Sequence, residues 1–245
     1  MAGPEAVARN APRLAVVIPA LNAAACLPAT LAALRADWLA LEIFVVDGGS
    51  SDDTAGIAER FGCRSLTSPA GRGRQLAAGA EAAIASGAEW LFFLHADSFP
   101  AGPWVEALRS FIDDPANRRR AGYLRLRFIS PAPQARRVER LAAWRAAWFG
   151  LPYGDQGMVI AAAFYQDLGG YPDWPLMEDV ALVRRIGRKR LFALPATVCT
   201  SAQRYEREGW WRRPWRNLTC LGLYHLGVPP ERLVRRYEGR RSAPP

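Results

Sequence analysis

Short, uniformly apolar runs alternate with stretches of helical period through the first half of the chain. Leu14-Ala-Val-Val-Ile18, Glu42-Ile-Phe-Val-Val46 and Trp90-Leu-Phe-Phe-Leu94 are too brief for amphipathic helices and read as strands buried on both faces. The first is predicted to stop at Pro19, and the second ends at Asp47. Between them, residues 24–36 place Leu27, Leu31 and Leu34 at helical spacing. The turn Gly48-Gly-Ser-Ser-Asp-Asp-Thr54 offers several N-caps for a helix running to about Phe61. Residues 63–67 suit a short strand, and 72–86 and 103–113 suit helices. Strands separated by helices predict right-handed βαβ units, so the fold class is α/β with a mostly parallel central sheet.

The second half is less regular. Residues 121–129 alternate Tyr123, Arg125 and Arg127 against Leu124, Leu126 and Phe128, the period-two pattern of a half-exposed strand. A basic amphipathic helix is predicted over 136–149, strands over 157–161 and 190–194, and helices over 180–188 and within 209–227. No repeat or linker interrupts the chain. The change of character near residue 117 therefore reads as two halves of a single domain over 14–228: 14–116, 117–208 and a helical segment 209–228, with 1–13 and 229–245 as tails.

Composition narrows the class. Half the 245 residues are hydrophobic and 22% are charged, as in a folded globular protein. Four scattered cysteines form no CxxC pair, which favours reduced thiols in the cytosol. Residues 1–13 hold no apolar h-region, and no run approaches the ~18–20 residues of a membrane span, so a cytoplasmic location is predicted. Charge is uneven: 17 arginines face 19 carboxylates up to residue 180, whereas 15 basic residues face 4 glutamates beyond it. That basic end predicts an acidic partner, either a diphosphate or an anionic lipid surface at the inner face of the membrane. Nucleic acid is not expected, because no nucleic-acid-binding signature is present. Trp144, Trp148, Trp211 and Trp215 beside several arginines are open to two readings, packing on the sheet or contact with a membrane interface that would deliver a lipid-linked acceptor.

Acids stand at element ends in three places: Asp47, Asp97 and the pair Glu178-Asp179. The first two follow buried strands, and in a parallel sheet both would face the crevice at the strands' carboxyl ends. Asp47, beside Gly48 and Gly49, is either a turn acid or an acceptor for a base or ribose. Asp97 is either a cap or a handle for a divalent cation on phosphates, since hard cations take oxygen ligands. Glu178 and Asp179 open a helix, where carboxylates also serve the helix dipole. Gly71-Arg-Gly-Arg-Gln75 is no dinucleotide fingerprint, because Leu76 stands where a third glycine belongs.

"LAVVIPALNAA", "IFVVDGGSSDDT", "GRGRQLAAGA", "WLFFLHADS" and "LMEDVALVRRI", in this order and spacing, resemble a family 2 glycosyltransferase of the GT-A fold from about Leu14 to Arg207. Within it the chain looks like the short bacterial group found near radical SAM and selenium-related genes. The resemblance implies an inverting transfer from a nucleotide-sugar donor, with UDP as the nucleotide, to an unassigned acceptor. It implies that Pro19, Ala20 and Asn22 line the nucleoside pocket, that Asp47 bonds the base with Gly48 and Gly49 making room, and that Arg74 and Gln75 approach the base or diphosphate. His95-Ala96-Asp97 would stand for the family's Asp-x-Asp, with His95 replacing its first acid and Asp97 holding Mg²⁺ or Mn²⁺ as a Lewis acid. Asp179, paired with Glu178, would be the general base. Gly154, Asp155 and Gln156 would meet the acceptor, and Arg204 and Arg207 would lie in a loop closing over the diphosphate. Two other functions remain open: a non-catalytic nucleotide-sugar or phosphate-binding module, favoured by the altered first acid, and a sugar nucleotidyltransferase. The latter would carry a glycine-rich loop and a lysine after the first strand, which Pro19-Ala-Leu-Asn22 lacks.

Overall fold

The computed structural model describes residues 13–35 and 41–238. Eight strands form one sheet: β1 (Leu14–Ala20), β2 (Glu42–Asp47), β3 (Arg64–Thr67), β4 (Trp90–Phe93), β5 (Ser98–Ala101), β6 (Ala121–Ile129), β7 (Met158–Ala161) and β8 (Leu191–Ser201). Their order is β3-β2-β1-β4-β7-β6-β8-β5. The run β3-β2-β1-β4 is parallel, as the alternating pattern predicts. Beyond it, β7 pairs antiparallel with both β4 and β6, and β5 pairs antiparallel with β8, so the sheet as a whole is mixed.

Pro19 does not stop β1, which runs on to Ala20. Val17 presents its carbonyl to Leu94, at the end of β4. Pro19, two residues on, faces the same side after β4 has ended, so its missing N–H leaves no ladder bond unmade. The predicted strand over 190–194 extends to Ser201 through Pro195. Tyr123 pairs with Ala193 but Arg125 with Thr197, so β8 bulges around the proline and resumes pairing after it.

Helices α1 (Leu27–Arg35), α2 (Thr54–Arg60), α3 (Arg72–Ala85) and α4 (Trp104–Asp113) follow the sequence reading within one to three residues, although residue 36, the end of the first prediction, lies outside those described. Leu27, Leu31 and Leu34 are buried, as their spacing predicts. The later helices are α5 (Pro133–Phe149), α6 (Ala162–Asp167), α7 (Glu178–Ile186), α8 (Gln203–Glu208), α9 (Arg212–His225) and α10 (Pro230–Glu238). Two of these helices and one strand differ from expectation. The segment 201–207, expected as a loop, begins with the last residue of β8 and, after Ala202, folds into α8. α10 lies in the stretch expected as a tail; its Leu233 is buried with Cys220, Leu221, Met177 and Val180, so the stretch packs on α7 and α9. In β6 the half-exposed alternation holds only from Leu124 onward, because Tyr123 is buried against the neighbouring strands.

β4 and β5 are separated by four residues of chain yet lie four places apart in the sheet. A flat sheet would set them about 19 Å apart at roughly 4.8 Å per strand. The link is moreover a turn, in which Ser98 N donates to His95 O, so it cannot be fully extended. The sheet therefore curls until its last strand returns beside β4. The His95–Asp97 segment sits in that seam.

Two contacts hold the parallel half to its helical layer. Gln75 of α3 donates from Nε2 to Ala20 O and Val46 O, each at 2.8 Å, clipping the ends of β1 and β2 together. Further along α3, Gly79 lies so near the sheet that a Cβ there would meet Val17 at 2.5 Å and Val46 at 2.8 Å. Gly79→Ala should therefore destabilise the fold by about 1–3 kcal/mol through overpacking. Denaturant unfolding should show a lower midpoint with an unchanged slope.

Candidate active site

At the carboxyl ends of the parallel strands two loops close on each other through side chains. Asn22, held at φ 51°, accepts from Ser51 N at 2.9 Å, and its own N–H donates to Ser50 Oγ at 2.8 Å. Ala23 N donates to Thr54 Oγ1, and Ala24 N to Asp52 Oδ2. The buried Asp47 accepts from Ser50 N at 3.1 Å, which ties it into this turn. Gly48 N donates to Ala20 O, and a Cβ on Gly48 would press on the Gln75 amide at 3.0 Å. Gly49 lies at φ +90° with nothing within 4 Å of a Cβ, an open shelf beside Asp47. Together, Pro19, Ala20, Asn22, Asp47, Gly48 and Gly49 form one rim.

A cavity of about 100 Å³ opens between the β4–β5 seam and the second half of the chain. Asp97 and His95 form one wall, and Gly154, Asp155 and Asp179 another; Arg72 and Arg204 supply positive charge, and Tyr153 and Tyr237 aromatic surface. Ala96 lies behind Asp97, its carbonyl accepting from the buried Thr30 hydroxyl at 2.8 Å. Ser98 Oγ, 3.2 Å from Asp97 Oδ1, is also bonded to Thr200 of β8, so the seam between the sheet's two ends carries the acid.

Asp179 is held at both oxygens. Oδ2 accepts from Gly154 N at 2.8 Å, and Oδ1 accepts from Val180 N at 2.7 Å in the first turn of α7. A Cβ at 154 would lie 3.0 Å from His95 Nε2 and 3.5 Å from Asp179 Oδ2, so the loop passes close between them. Met177, just before the acidic pair, adopts a left-handed φ of 64° that turns the chain into α7. Glu178 points the other way, 1% exposed, its Oε1 3.6 Å from the Arg72 guanidinium and without a hydrogen bond. Burial pushes its carboxyl up to about 7 against the opposing pull of Arg72. For Arg72, desolvation works against the charge, but Glu178, together with Tyr237, Asp179 and Asp97, outweighs it and raises the guanidinium pKa. Burial, aided by Arg72, pushes the His95 imidazole down to about 4, so the ring is neutral at neutral pH. Its Nε2 is buried without a partner, as is Oδ1 of Asp155, whose carboxyl burial raises.

Not every expected residue reaches the cavity. Arg74 forms a bidentate pair with Asp173 at 2.9 and 2.7 Å, on the surface. Gln75 is spent on the strand clip. Gln156 is buried, accepting from Arg145 and Tyr153 N and donating to Leu124 O, so its amide is engaged within the fold. Arg207 turns outward toward Glu208 at 3.9 Å. In their place stand Arg72, Tyr153, Asn217 and Tyr237. Helical phase could have found Arg72: it lies three residues before the buried Gln75, whereas Arg74 lies a turn-third away. Asn217 and Tyr237 arrive from α9 and α10 by tertiary packing, and no local signal marks them.

Among the described residues, no cluster of three or more His, Cys, Asp or Glu side chains is arranged to hold a metal ion. Asp97 and the unpartnered His95 nitrogen fit a cation whose remaining ligands come from a bound phosphate group and water, as hard cations in phosphate sites commonly have.

Residues 15–135 match the model of glycosyl transferase family 2. Over 54 residues the chain is 48% identical to an uncharacterized glycosyltransferase of Mycobacterium tuberculosis (strain H37Rv), and equally to a counterpart in Mycobacterium bovis. That match spans 22% of this chain and 23% of each relative, well under two thirds of their length. S. aureus TarS 1–349, solved in complex with UDP-GlcNAc, superposes with a TM-score of 0.60 at 15% identity, over 77% of this chain and 58% of that one. Glucosyl-3-phosphoglycerate synthase from M. tuberculosis, solved with Mn²⁺, UDP and glucosyl-3-phosphoglycerate, gives 0.55 at 19% identity, over 80% and 72%. At such identities the likeness is one of fold, and it extends past residue 135 into the half of the chain that completes the cavity. Family match, curled mixed sheet and acid-lined seam agree: residues 15–135 match glycosyl transferase family 2, and the structure has the GT-A fold.

Proposed function

We propose that this protein transfers a sugar from a UDP-sugar to a hydroxyl-bearing acceptor with inversion at the anomeric carbon. The observation that carries the reading is the meeting, in one cavity, of Asp97 from the β4–β5 seam with Asp179 from the start of α7, two acids 82 positions apart in the chain. The nucleotide-sugar complexes of the structural neighbours support the donor class. In this reading residues 14–116 seat the nucleotide on the Asn22–Asp47–Gly49 rim, and 117–208 complete the acceptor side. Asp97, with His95, would hold Mg²⁺ or Mn²⁺, and the cation would supply Lewis-acid stabilisation of the departing diphosphate. Mn²⁺ in the complexes of glucosyl-3-phosphoglycerate synthase supports that cofactor. Arg204 lines the cavity, exposed and without an ion pair among the described residues, and is free to meet phosphate oxygens.

Asp179 takes the proton of the acceptor hydroxyl as its oxygen attacks the anomeric carbon from the face opposite the diphosphate. Its two backbone N–H bonds fix the carboxylate's direction before the acceptor arrives, which saves reorganisation in the transition state. Glu178, turned to Arg72, keeps that guanidinium charged and in place. Gly154 and Asp155 border the acceptor space, and a lipid-linked acceptor would suit the arginine-rich end of the chain.

The reading is tested first by a thermal-shift panel of nucleotide sugars with and without Mn²⁺, since specific binding raises the melting temperature. UDP-sugars should give the largest shift, and only with the cation; a protein indifferent to every nucleotide sugar would overturn it. UDP binding with no hydrolysis or transfer to any acceptor pool would point instead to a binding module. Asp179→Asn should lower turnover by about 10²–10⁴-fold, while the UDP-sugar shift stays near that of the wild type. Asp97→Ala should abolish the Mn²⁺-dependent part of that shift.

A separate prediction concerns Glu178. Its folded-state pKa of about 7 lies above its ordinary value of 4.5, so its stabilising effect is complete below pH ~4.5 and is lost as pH rises through 7. Melting temperature should therefore decline across that window in the wild type, and less so in Glu178→Gln. Parallel curves for the two proteins would refute the assignment.

A further inference from the structure

Of the two open readings of the tryptophans, packing on the sheet does not hold: Trp144, Trp148, Trp211 and Trp215 are 53%, 63%, 53% and 72% exposed. Eight of the eleven large apolar side chains exposed among the described residues fall on α5 and α9 or their caps. They are ordered as well as numerous. Leu141, Trp144 and Trp148 recur at i, i+3 and i+7 on α5, opposite the buried Ala135, Ala142 and Ala146. Trp211, Trp215 and Leu218 recur at i, i+4 and i+7 along α9, opposite the buried Arg213 and Cys220. Each helix is thus amphipathic twice over, with one apolar face used by the fold and a second left outside.

We propose that these outer faces of α5 and α9 dock the protein on an anionic lipid bilayer. Charge complementarity selects the partner. α9 carries no acid, and neither stripe contains one. Arg137 on α5, Arg212 at the start of α9 and Arg232 on α10 are exposed and make no ion pair among the described residues. The arginines that belong to the fold are already spent: Arg213 and Arg216 on Glu208, and Arg136 on Glu139. Free guanidinium groups beside exposed indole rings match the phosphate and acyl layers of a membrane interface, where tryptophan is favoured for its apolar body and polar edge. No described helix is long and apolar enough to cross a membrane, so contact would be in the plane of the surface.

The two stripes belong to one region. α5 packs through Val138 and Ala142 onto Phe128, and Phe128 stacks on Tyr205 at 4.7 Å and on Trp210 at 5.7 Å, one residue before Trp211. Behind the stripe α9 gives Arg213 and Asn217 to the catalytic cavity. A protein seated on α5 and α9 would thus hold that cavity within a helix diameter of the headgroups.

The test is co-sedimentation of the full chain with phosphatidylcholine vesicles, with and without phosphatidylglycerol, read together with tryptophan emission. Binding to the phosphatidylglycerol vesicles is expected, with a blue-shifted emission and release at about 1 M salt, where the Debye length falls to about 3 Å. Two variants, Trp211→Ser/Trp215→Ser/Leu218→Ser and Trp144→Ser/Trp148→Ser, should each weaken partitioning by about tenfold. Both should melt with the wild type, because the altered side chains are exposed. No partitioning to phosphatidylglycerol vesicles, or partitioning that neither variant weakens, overturns the proposal. So does a dimer that both variants dissociate, which would make a second copy the occupant. The UDP-sugar shift, measured on the same samples, reports the donor site separately; the surface stands or falls without it.

Discussion

The four-residue link between β4 and β5 constrains the whole molecule. A chain that short cannot span four strand positions of a flat sheet, so the sheet must curl and bring its two halves face to face. The bulge at Pro195 lets β8 bend through that curl while its pairing with β6 resumes. The Ser98–Thr200 hydrogen bond then fastens the seam. Because the link also carries His95 and Asp97, the constraint that shapes the sheet places an acid where the halves meet. Fold and site share one origin.

Around that seam the protein buries more charge than its hydrogen bonds fully satisfy. Glu178 faces Arg72 without a hydrogen bond, and one oxygen of Asp155 and one nitrogen of His95 have no partner. Such groups cost free energy in a folded core unless a ligand meets them. Asp179 is the exception, with both oxygens bonded to backbone N–H groups. The contrast separates a group held ready in one orientation from groups left to answer a ligand. Stability comes from elsewhere: the continuous apolar core of β1, β2, β4 and β7, and the Gln75 clip over the strand ends.

Element by element, the parallel half was legible because its signals are local. Leu27, Leu31 and Leu34 bury one helical face wherever that helix packs, and uniformly apolar runs such as Val16–Ile18 have no polar face to expose. The second half was harder. β5 is a short strand paired, among the described residues, with a strand about a hundred residues away, and α8 replaced an expected loop. Within the site, the three acids at element ends were readable as positions, but the use of neighbouring polar side chains was not. Arg72 and Arg74 look alike in a string of letters; helix phase sends one to Glu178 and the other to Asp173. Gln75 and Gln156 look like ligand-binding amides and are instead consumed by backbone carbonyls and an arginine.

The sequence by itself determined that a parallel α/β half precedes a mixed one, that acids end two of its strands and open a late helix, and that positive charge gathers in the last quarter. These follow from periodicity, capping and composition, which act over a few residues at a time. Only the tertiary structure decided that the sheet curls, that Asp97 and Asp179 share a cavity, that Asn217 and Tyr237 join them from the end of the chain, and that the tryptophans of α5 and α9 face outward. Each of these depends on which surfaces meet across long separations. An apolar stripe on a helix states that something must cover it; whether that something is the protein's own core is settled only when the rest of the chain has packed.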